Sequence, residues 1–150
     1  MKLYLTLLAV VTAVALLGGA LEPALAGDEA PETVREAIAA WNDTLEDAFA
    51  RGDAEAIAGM FTEDAVIVEP LRPPVRGRQA IRDYFQYFME FGLEDLRSVT
   101  EEVFGDDETA IEIGRNVVYL RGGTRSTSRF MCLYRHVDGR WLVHRVVGTS

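Results

Sequence analysis

The sequence predicts an α+β fold in which three N-terminal helices pack inside a curved antiparallel sheet that forms a cone. Apolar residues recur at spacings of three and four before Gly92 and at every second position after it, which indicates helices first and strands second. No linker or repeat divides residues 27–150, and this length is sufficient for one hydrophobic core. We therefore predict a single α+β domain over those residues.

Residues 1–26 form a separate segment. Lys2 precedes a mostly apolar run from Leu3 to Leu17, and Ala24-Leu25-Ala26 matches the small-residue cleavage site of a secretory signal peptide. A membrane anchor is the alternative, but the run is shorter than the roughly 20 residues that span a bilayer. We therefore predict cleavage after Ala26, a secreted or periplasmic protein, and no stable membrane anchor.

Three helices are predicted before Gly92. The first begins at Pro31 and ends before Gly52, the second is short and has Asp53 as its N-cap, and the third runs from about Arg78 to Phe91. Each has an apolar stripe that is expected to face inward. These stripes comprise Val34, Ile38, Trp41, Leu45, Ala48, Phe49, Ile57, Met60, Phe61, Ile81, Tyr84, Phe85 and Phe88.

A short strand is predicted at residues 65–69, between the second and third helices. It ends at Glu69 because Pro70 has no N–H to donate to a sheet. Further strands are predicted near residues 97–104, 109–120, 125–137 and 140–148. Glycine and aspartate residues separate these strands, as is typical of hairpin turns.

Two-residue turns at Gly122-Gly123 and Asp138-Gly139 determine which side chains share a face of the predicted sheet, and the second turn places Leu133 opposite His144. Both faces of the last two strands are largely apolar. Three helices cover only one face, so we predict a homodimer in which a second subunit covers the other. One face carries Arg129, Met131, Leu133, Leu142, His144 and Val146, and the other carries Phe130, Cys132, Tyr134, Trp141, Val143 and Val147.

The stretch from Gly52 to Ile81, GDAEAIAGMFTEDAVIVEPLRPPVRGRQAI, resembles the opening of the nuclear transport factor 2-like superfamily. This superfamily includes SnoaL-like polyketide cyclases and ketosteroid isomerases. The resemblance extends to the GRW at Gly139 to Trp141 and covers about Pro31 to Thr149. It implies a conical cavity between the helices and the sheet.

The resemblance also implies which face of the sheet lines this cavity. In ketosteroid isomerases the position that matches Met131 lines the cavity, which implies that Met131 and its face point inward. Glu112, Asn116 and Gly114 would join that face, with Gly114 beside Met131. The opposite face would then form the dimer interface, through Phe130, Tyr134, Trp141 and Val143.

Glu69 is the leading candidate catalytic residue. The pair Glu69-Pro70 aligns with the aspartate and proline of ketosteroid isomerases, and the resemblance implies that Glu69 is a proton-shuttling base. A carboxylate at a strand end between aliphatic side chains such as Ile67 loses hydration, which favours proton transfer. The alternative is a solvated loop glutamate.

The isomerases hold the developing enolate oxygen with a tyrosine and a protonated aspartic acid. Leu45 and Met131 occupy those positions here, and neither side chain can donate a hydrogen bond. An isomerase reaction would need a donor from Tyr84, His144 or Arg129.

His144 is predicted to face the cavity, where it could exchange protons with a ligand or pair with Glu69 or Glu112. A buried structural histidine is the alternative. These three residues lack the spacing of known metal motifs, so we expect no metal site and no cofactor. Arg129 is expected to form an ion pair with Glu112, and a clamp on a ligand oxygen is the alternative.

The remaining predicted cavity residues are expected to form the wall that contacts a ligand. They are Trp41, Leu45, Phe61, Tyr84, Phe88, Asn116 and Met131.

Composition and missing motifs exclude several classes of function. The net charge of -9 argues against a nucleic-acid partner. The sequence has no G-x-S-x-G motif, phosphate-binding glycine loop or dinucleotide fingerprint.

Three functions remain. The first is an exported protein that binds a small, mainly apolar molecule. The second is a cofactor-free isomerase, cyclase or dehydratase with Glu69 as general base. The third is a dimeric accessory or assembly module whose pocket is vestigial.

Overall fold

The computed structural model describes residues 29–149. The predicted signal peptide lies outside these residues. Among the described residues, no helix has the length and apolar character needed to cross a membrane. The elements are α1 (Glu32–Ala50), α2 (Ala54–Ala58), β1 (Phe61–Val68), β2 (Val75–Arg76), α3 (Arg78–Glu90), β3 (Leu93–Gly105), β4 (Thr109–Leu120), β5 (Thr124–Val137) and β6 (Arg140–Thr149).

The strands form one sheet in the order β2-β1-β6-β5-β4-β3. The helices pack against this curved, unclosed sheet, which confirms the predicted α+β class. The expectation of a purely antiparallel sheet is wrong at one place, because β1 pairs in parallel with β6. Helix α3 and the whole β3 to β5 meander separate these two strands in the chain, so their connection can cross over and return in the same direction.

The core lies between α1 and the sheet. The apolar stripe of α1 is buried from Val34 to Phe49, as its spacing predicts. Asp53 caps α2, since its carboxylate accepts the N–H of Ala56 at 2.9 Å. In α3, by contrast, Ile81 is the buried residue, so most of the apolar face of α3 borders open space.

The predicted register between β4 and β5 is wrong by one residue. Three residues rather than two connect these strands, because Leu120 pairs with Thr124. Gly114 consequently pairs with Phe130 instead of Met131. A shift of one residue turns every side chain of a strand to the other face, and Met131 accordingly points outward and is 47% exposed.

The predicted register between β5 and β6 is right near the turn and wrong beyond it. Tyr134 pairs with Val143 as predicted, but Leu133 pairs with Arg145 rather than His144. His144 is thus the extra residue of a β-bulge. The residues after it are shifted by one position relative to β5.

These two shifts also correct the predicted dimer interface. Phe130, Tyr134 and Val143 are buried inside the protomer, and the half-buried Trp141 stacks on His136 with ring centroids 4.9 Å apart. None of these residues lies on the outer face of the sheet as an open apolar surface.

Candidate functional site

A cavity of about 250 Å³ lies between α1, α3 and the inner face of the sheet. Helix α1 contributes Trp41, Leu45 and Phe49, one turn apart on the same stripe. Trp41 packs edge-on against Tyr134 of β5, with centroids 5.3 Å apart. Helix α3 contributes the aromatic residues Tyr84, Phe85 and Phe88. The wall is therefore largely apolar and aromatic.

The structure brings most of the predicted cavity residues to this wall and leaves three elsewhere. Glu112, Met131 and His144 do not line the cavity. The residues that do line it are Trp41, Leu45, Phe61, Glu69, Tyr84, Phe88, Asn116 and Arg129.

Glu69 and Tyr84 form a hydrogen-bonded pair on the wall. Glu69 directly follows β1, and the Tyr84 hydroxyl on α3 donates to its Oε1 atom at 2.7 Å. Burial and then the Glu69 carboxylate raise the pKa of Tyr84 above its usual value of 10.0. Tyr84 is therefore a neutral phenol that donates to Glu69 at physiological pH.

Gly148 leaves one flank of the Glu69 side chain open. This glycine lies on β6, beside the end of β1, and lines the cavity. A Cβ atom on Gly148 would lie 3.6 Å from Cγ of Glu69, an ordinary van der Waals contact. The absence of a side chain here leaves the carboxylate accessible from the cavity.

A loop rich in proline follows Glu69 and contacts Phe88, a residue of the cavity wall. The Arg72 guanidinium lies over the Phe88 ring, 5.0 Å from its centroid. Leu71, which precedes it, is fully exposed and has a left-handed backbone with φ of 63°.

Glu112 is fully buried behind the wall and belongs to a separate cluster. Its Oε1 atom accepts hydrogen bonds from Asn42 at 2.7 Å and from Thr100 at 2.6 Å. Its Oε2 atom accepts from the Tyr134 hydroxyl at 2.7 Å. The prediction that Glu112 contacts a ligand is therefore wrong, because neighbouring side chains already occupy both of its oxygens.

Arg129 does not form the predicted pair with Glu112. Its guanidinium instead pairs with Glu101, and its side chain is 68% exposed. Arg129 borders the cavity, but its guanidinium is directed to Glu101 rather than to the interior, as expected when the neighbouring Phe130 points inward.

The β-bulge places His144 away from Glu69 and Glu112, the two carboxylates predicted as its partners. The imidazole is buried, with Nδ1 3.0 Å from the Thr62 hydroxyl and 3.4 Å from a carboxylate oxygen of Asp64. Burial, followed by the charges of Arg145 and Arg135, lowers the pKa of His144. The prediction that His144 faces the cavity is therefore wrong. His144 is instead a buried structural histidine, which was the alternative.

Sequence reasoning missed three polar residues of the wall, Asn42, Ser98 and Ser128. Asn116 on β4 pairs with Ser98 on β3 and with Ser128 on β5. Ser128 lies two residues before Phe130 and four before Cys132, so these three side chains share one face of β5. A three-residue connection between β4 and β5 would have identified this face as the inward one. Cys132 also lines the cavity, and burial raises the pKa of its thiol, which favours the protonated form at physiological pH.

Metal ligands are not gathered in the described part of the chain. Between residues 29 and 149, no three histidine, cysteine, aspartate or glutamate side chains are placed to hold one ion.

Solved structures with this architecture have diverse descriptions. A domain of unknown function with a cystatin-like fold from Nostoc punctiforme PCC 73102 is 24% identical, with a TM-score of 0.69 over 79% of this chain and 78% of that chain. A ketosteroid isomerase-like protein from Erwinia carotovora atroseptica SCRI1043 is 21% identical, with a TM-score of 0.64 over 76% and 93%. At these identities the similarity establishes the fold alone.

A second group of comparisons concerns the sequence. No protein with a curated description is significantly similar to this chain. The family model of the SnoaL-like domain matches residues 34–144. The chain therefore belongs to the SnoaL-like family, within the nuclear transport factor 2-like fold.

Proposed function

We propose that this protein binds a small, mainly apolar molecule in its cavity. One observation carries the proposal: an apolar, aromatic wall is interrupted by the Glu69 and Tyr84 pair. Ligand pockets characteristically combine an apolar lining with a few fixed polar groups. The volume of about 250 Å³ is below the roughly 300–1,000 Å³ of pockets for drug-sized ligands, which favours a small ligand.

Glu69 gives this ligand a point of attachment. Tyr84 occupies Oε1 of the carboxylate, so Oε2 is the oxygen that can accept a hydrogen bond from a ligand O–H or N–H group. Gly148 has no side chain, so the flank of Glu69 that it faces, at Cγ and Oε1, stays open to the cavity.

We also propose that the protein acts outside the cytoplasm. What supports this is the basic start, the apolar run and the Ala24-Leu25-Ala26 site, which match the pattern of a secretory signal peptide. N-terminal sequencing of the protein from its own host tests this, since an intact Met1 would contradict cleavage after Ala26.

A second candidate is a cofactor-free isomerase, cyclase or dehydratase. The observation that favours it is the position of Glu69 at the end of β1, within the cavity, where it could take a proton from a carbon next to a ligand carbonyl. Leu45 lines the cavity but cannot donate a hydrogen bond, while Met131 and His144 lie outside it. Tyr84 lines the cavity, but its one O–H already donates to Glu69, so it would have to leave Glu69 to hold the developing oxyanion.

We also propose that the outer face of the sheet forms a homodimer, through residues other than those first expected. Val68 pairs with Val147, and Val147 pairs with Met131, on adjacent strands. All three are exposed, as is Ile111 on β4. This apolar row is a surface that a second copy can cover, or another protein in the case of an accessory module. A monomer by light scattering at micromolar concentration would contradict the homodimer.

Native mass spectrometry with Glu69→Gln tests the ligand proposal. The protein purified from its own host should carry a small molecule, and Glu69→Gln should lower the fraction of loaded protein about tenfold, since glutamine replaces the accepting oxygen with a donor. The matched control is Glu63→Gln, which changes an exposed carboxylate on β1, the strand that precedes Glu69, and should leave loading unchanged. Equal loading of all three proteins would show that Glu69 does not hold the ligand.

A further inference from the structure

We propose that the cavity contains a second polar subsite, formed by Ser98, Asn116 and Ser128, which binds a neutral carbonyl oxygen of the ligand. This inference rests on the proposed binding function and extends it, because it states what chemical group lies at the other end of the ligand.

The three side chains form one row across the inner face of the sheet. Asn116 pairs with Ser98 on one side and with Ser128 on the other. Side chains of directly paired residues on neighbouring strands project from the same face, and all three residues line the cavity. The next inward residues along β4 and β5, Val118 and Phe130, are apolar. The row is therefore a polar band on an apolar wall.

The hydrogen bond within this row leaves donors available. The Ser98 hydroxyl donates to Oδ1 of Asn116 at 3.0 Å, which orients the amide. Within residues 29–149, no group accepts a hydrogen bond from Nδ2 of Asn116 or from the Ser128 hydroxyl. An amide nitrogen has two N–H donors, so this corner of the cavity can donate to a ligand oxygen.

The surrounding charges favour a neutral oxygen over a carboxylate. The Glu46 carboxylate accepts the backbone N–H of Ser98 at 2.7 Å and pairs with Arg97 at 2.8 Å. Arg129 follows Ser128, but its guanidinium pairs with Glu101. Arg97 and Arg129 are thus both engaged by glutamates, and an anionic ligand would lose hydration here without gaining an unpaired cation. A carbonyl accepts the same hydrogen bonds at a smaller desolvation cost.

The strand order sets the distance between the two polar subsites. Glu69 follows β1, β6 is its neighbour, and β5, which carries Ser128, is the next strand. With neighbouring strands about 4.8 Å apart, two steps across the sheet cover roughly 10 Å. Gly148 lies beside Glu69 and pairs with Phe130, and Ser128 is two residues further along β5, so the main chains at Glu69 and Ser128 are roughly 12 Å apart. A flat molecule of two fused rings, with a donor at one end and a carbonyl at the other, matches this separation.

Calorimetric titration with three matched probes tests the inference. The first is a naphthalene with a hydroxyl at one end and an acetyl group at the other, the second is β-naphthol, and the third is β-acetylnaphthalene. In the wild-type protein the first probe should bind about tenfold more tightly than either single-ended probe. Asn116→Leu should remove most of the difference in affinity between the first probe and β-naphthol, and it should leave the affinity for β-naphthol unchanged.

Ser128→Ala is a milder second variant in case Asn116→Leu does not fold. It should reduce the difference in affinity between the first probe and β-naphthol about threefold. The control is Thr127→Ala, an exposed neighbour on the same strand, which should change nothing. If β-naphthol binds and the acetyl group adds no affinity, or if both variants weaken both hydroxyl probes equally, the subsite is wrong and the proposed function stands. If no probe binds the wild-type protein, both proposals fail.

Discussion

Glu69 and Glu112 are two inward-facing carboxylates with opposite surroundings. Glu112 is fully buried and accepts hydrogen bonds from three neighbouring side chains. Glu69 is half-buried on the cavity wall and accepts from Tyr84 alone among the described side chains. A carboxylate whose oxygens are already occupied contributes to the fold, whereas one with a free oxygen facing a cavity is available to a ligand.

The comparison also separates two parts of the sheet. Near Glu112, the paired residues Gly114 and Phe130 leave no free space, since a Cβ on Gly114 would lie 2.8 Å from the Phe130 ring. Near Glu69, a Cβ on Gly148 would lie 3.6 Å from its nearest neighbour, Cγ of Glu69. The middle strands are therefore closely packed, while the β1 and β6 side borders open space.

The largest expected effect on stability comes from removing the Glu112 carboxylate. Glu112→Ala removes the acceptor for Asn42 and Tyr134, both buried, and should lower the free energy of unfolding by about 3 kcal/mol. Glu69→Ala should lower it by less than about 1 kcal/mol, because its partner Tyr84 can turn toward water in the cavity. Urea denaturation of the two variants measures this difference, and equal losses would refute the distinction between the two carboxylates.

A smaller effect on stability is expected from adding one methyl group at Gly114 or at Gly148. Gly114→Ala places a Cβ 2.5 Å from the backbone oxygen of Val99, and this overpacking should cost about 2 kcal/mol. Gly148→Ala should change stability by less than about 0.5 kcal/mol while narrowing the approach to Glu69. Thermal unfolding of both variants provides the measurement. A stable Gly114→Ala protein would mean that the middle strands are not closely packed.

The smallest effect concerns His144, a buried group near cations. Its pKa is lowered from 6.5 in the folded protein, so below that value the unfolded chain binds a proton more readily than the native protein. The stabilisation is complete above the unfolded pKa and is lost as the pH falls from about 6.5 toward the native pKa, by at most about 1.4 kcal/mol per pH unit.

Replacement of His144 by glutamine should remove this part of the pH dependence. Urea denaturation at several pH values between about 5 and about 7 compares the variant with the wild-type protein. His136→Asn, a change at an exposed histidine, is the control and should retain the wild-type slope. An unchanged slope in His144→Gln would assign the pH dependence to other groups.

The first and third helices and the position of Glu69 could be predicted because local chemistry determines them. The second helix is shorter than predicted: it ends at Ala58, and Phe61 belongs to β1 instead. The apolar stripe from Val34 to Phe49 repeats at helical spacing and is buried. Pro70 cannot donate to a sheet, and β1 ends at Val68, just before Glu69. Neither feature depends on a distant part of the chain.

The faces of β5 and β6 could not be predicted in the same way, because each depends on counting residues through a turn or a bulge. One more residue before Thr124 turned Met131 outward, and one extra residue at His144 shifted the end of β6. The alternating pattern is apolar on both faces, so it could not reveal either error. The partners of Glu112 were equally hidden, since Asn42 and Tyr134 meet it only through tertiary packing.

The loop that carries Leu71 and Arg72 has a consequence for kinetics. Pro70, Pro73 and Pro74 fix their own φ angles, so this main chain is stiff while the Arg72 side chain over the Phe88 ring can rotate. We therefore expect rotation of the Arg72 side chain, on a timescale of about nanoseconds, to uncover the Phe88 ring faster than any opening of the loop.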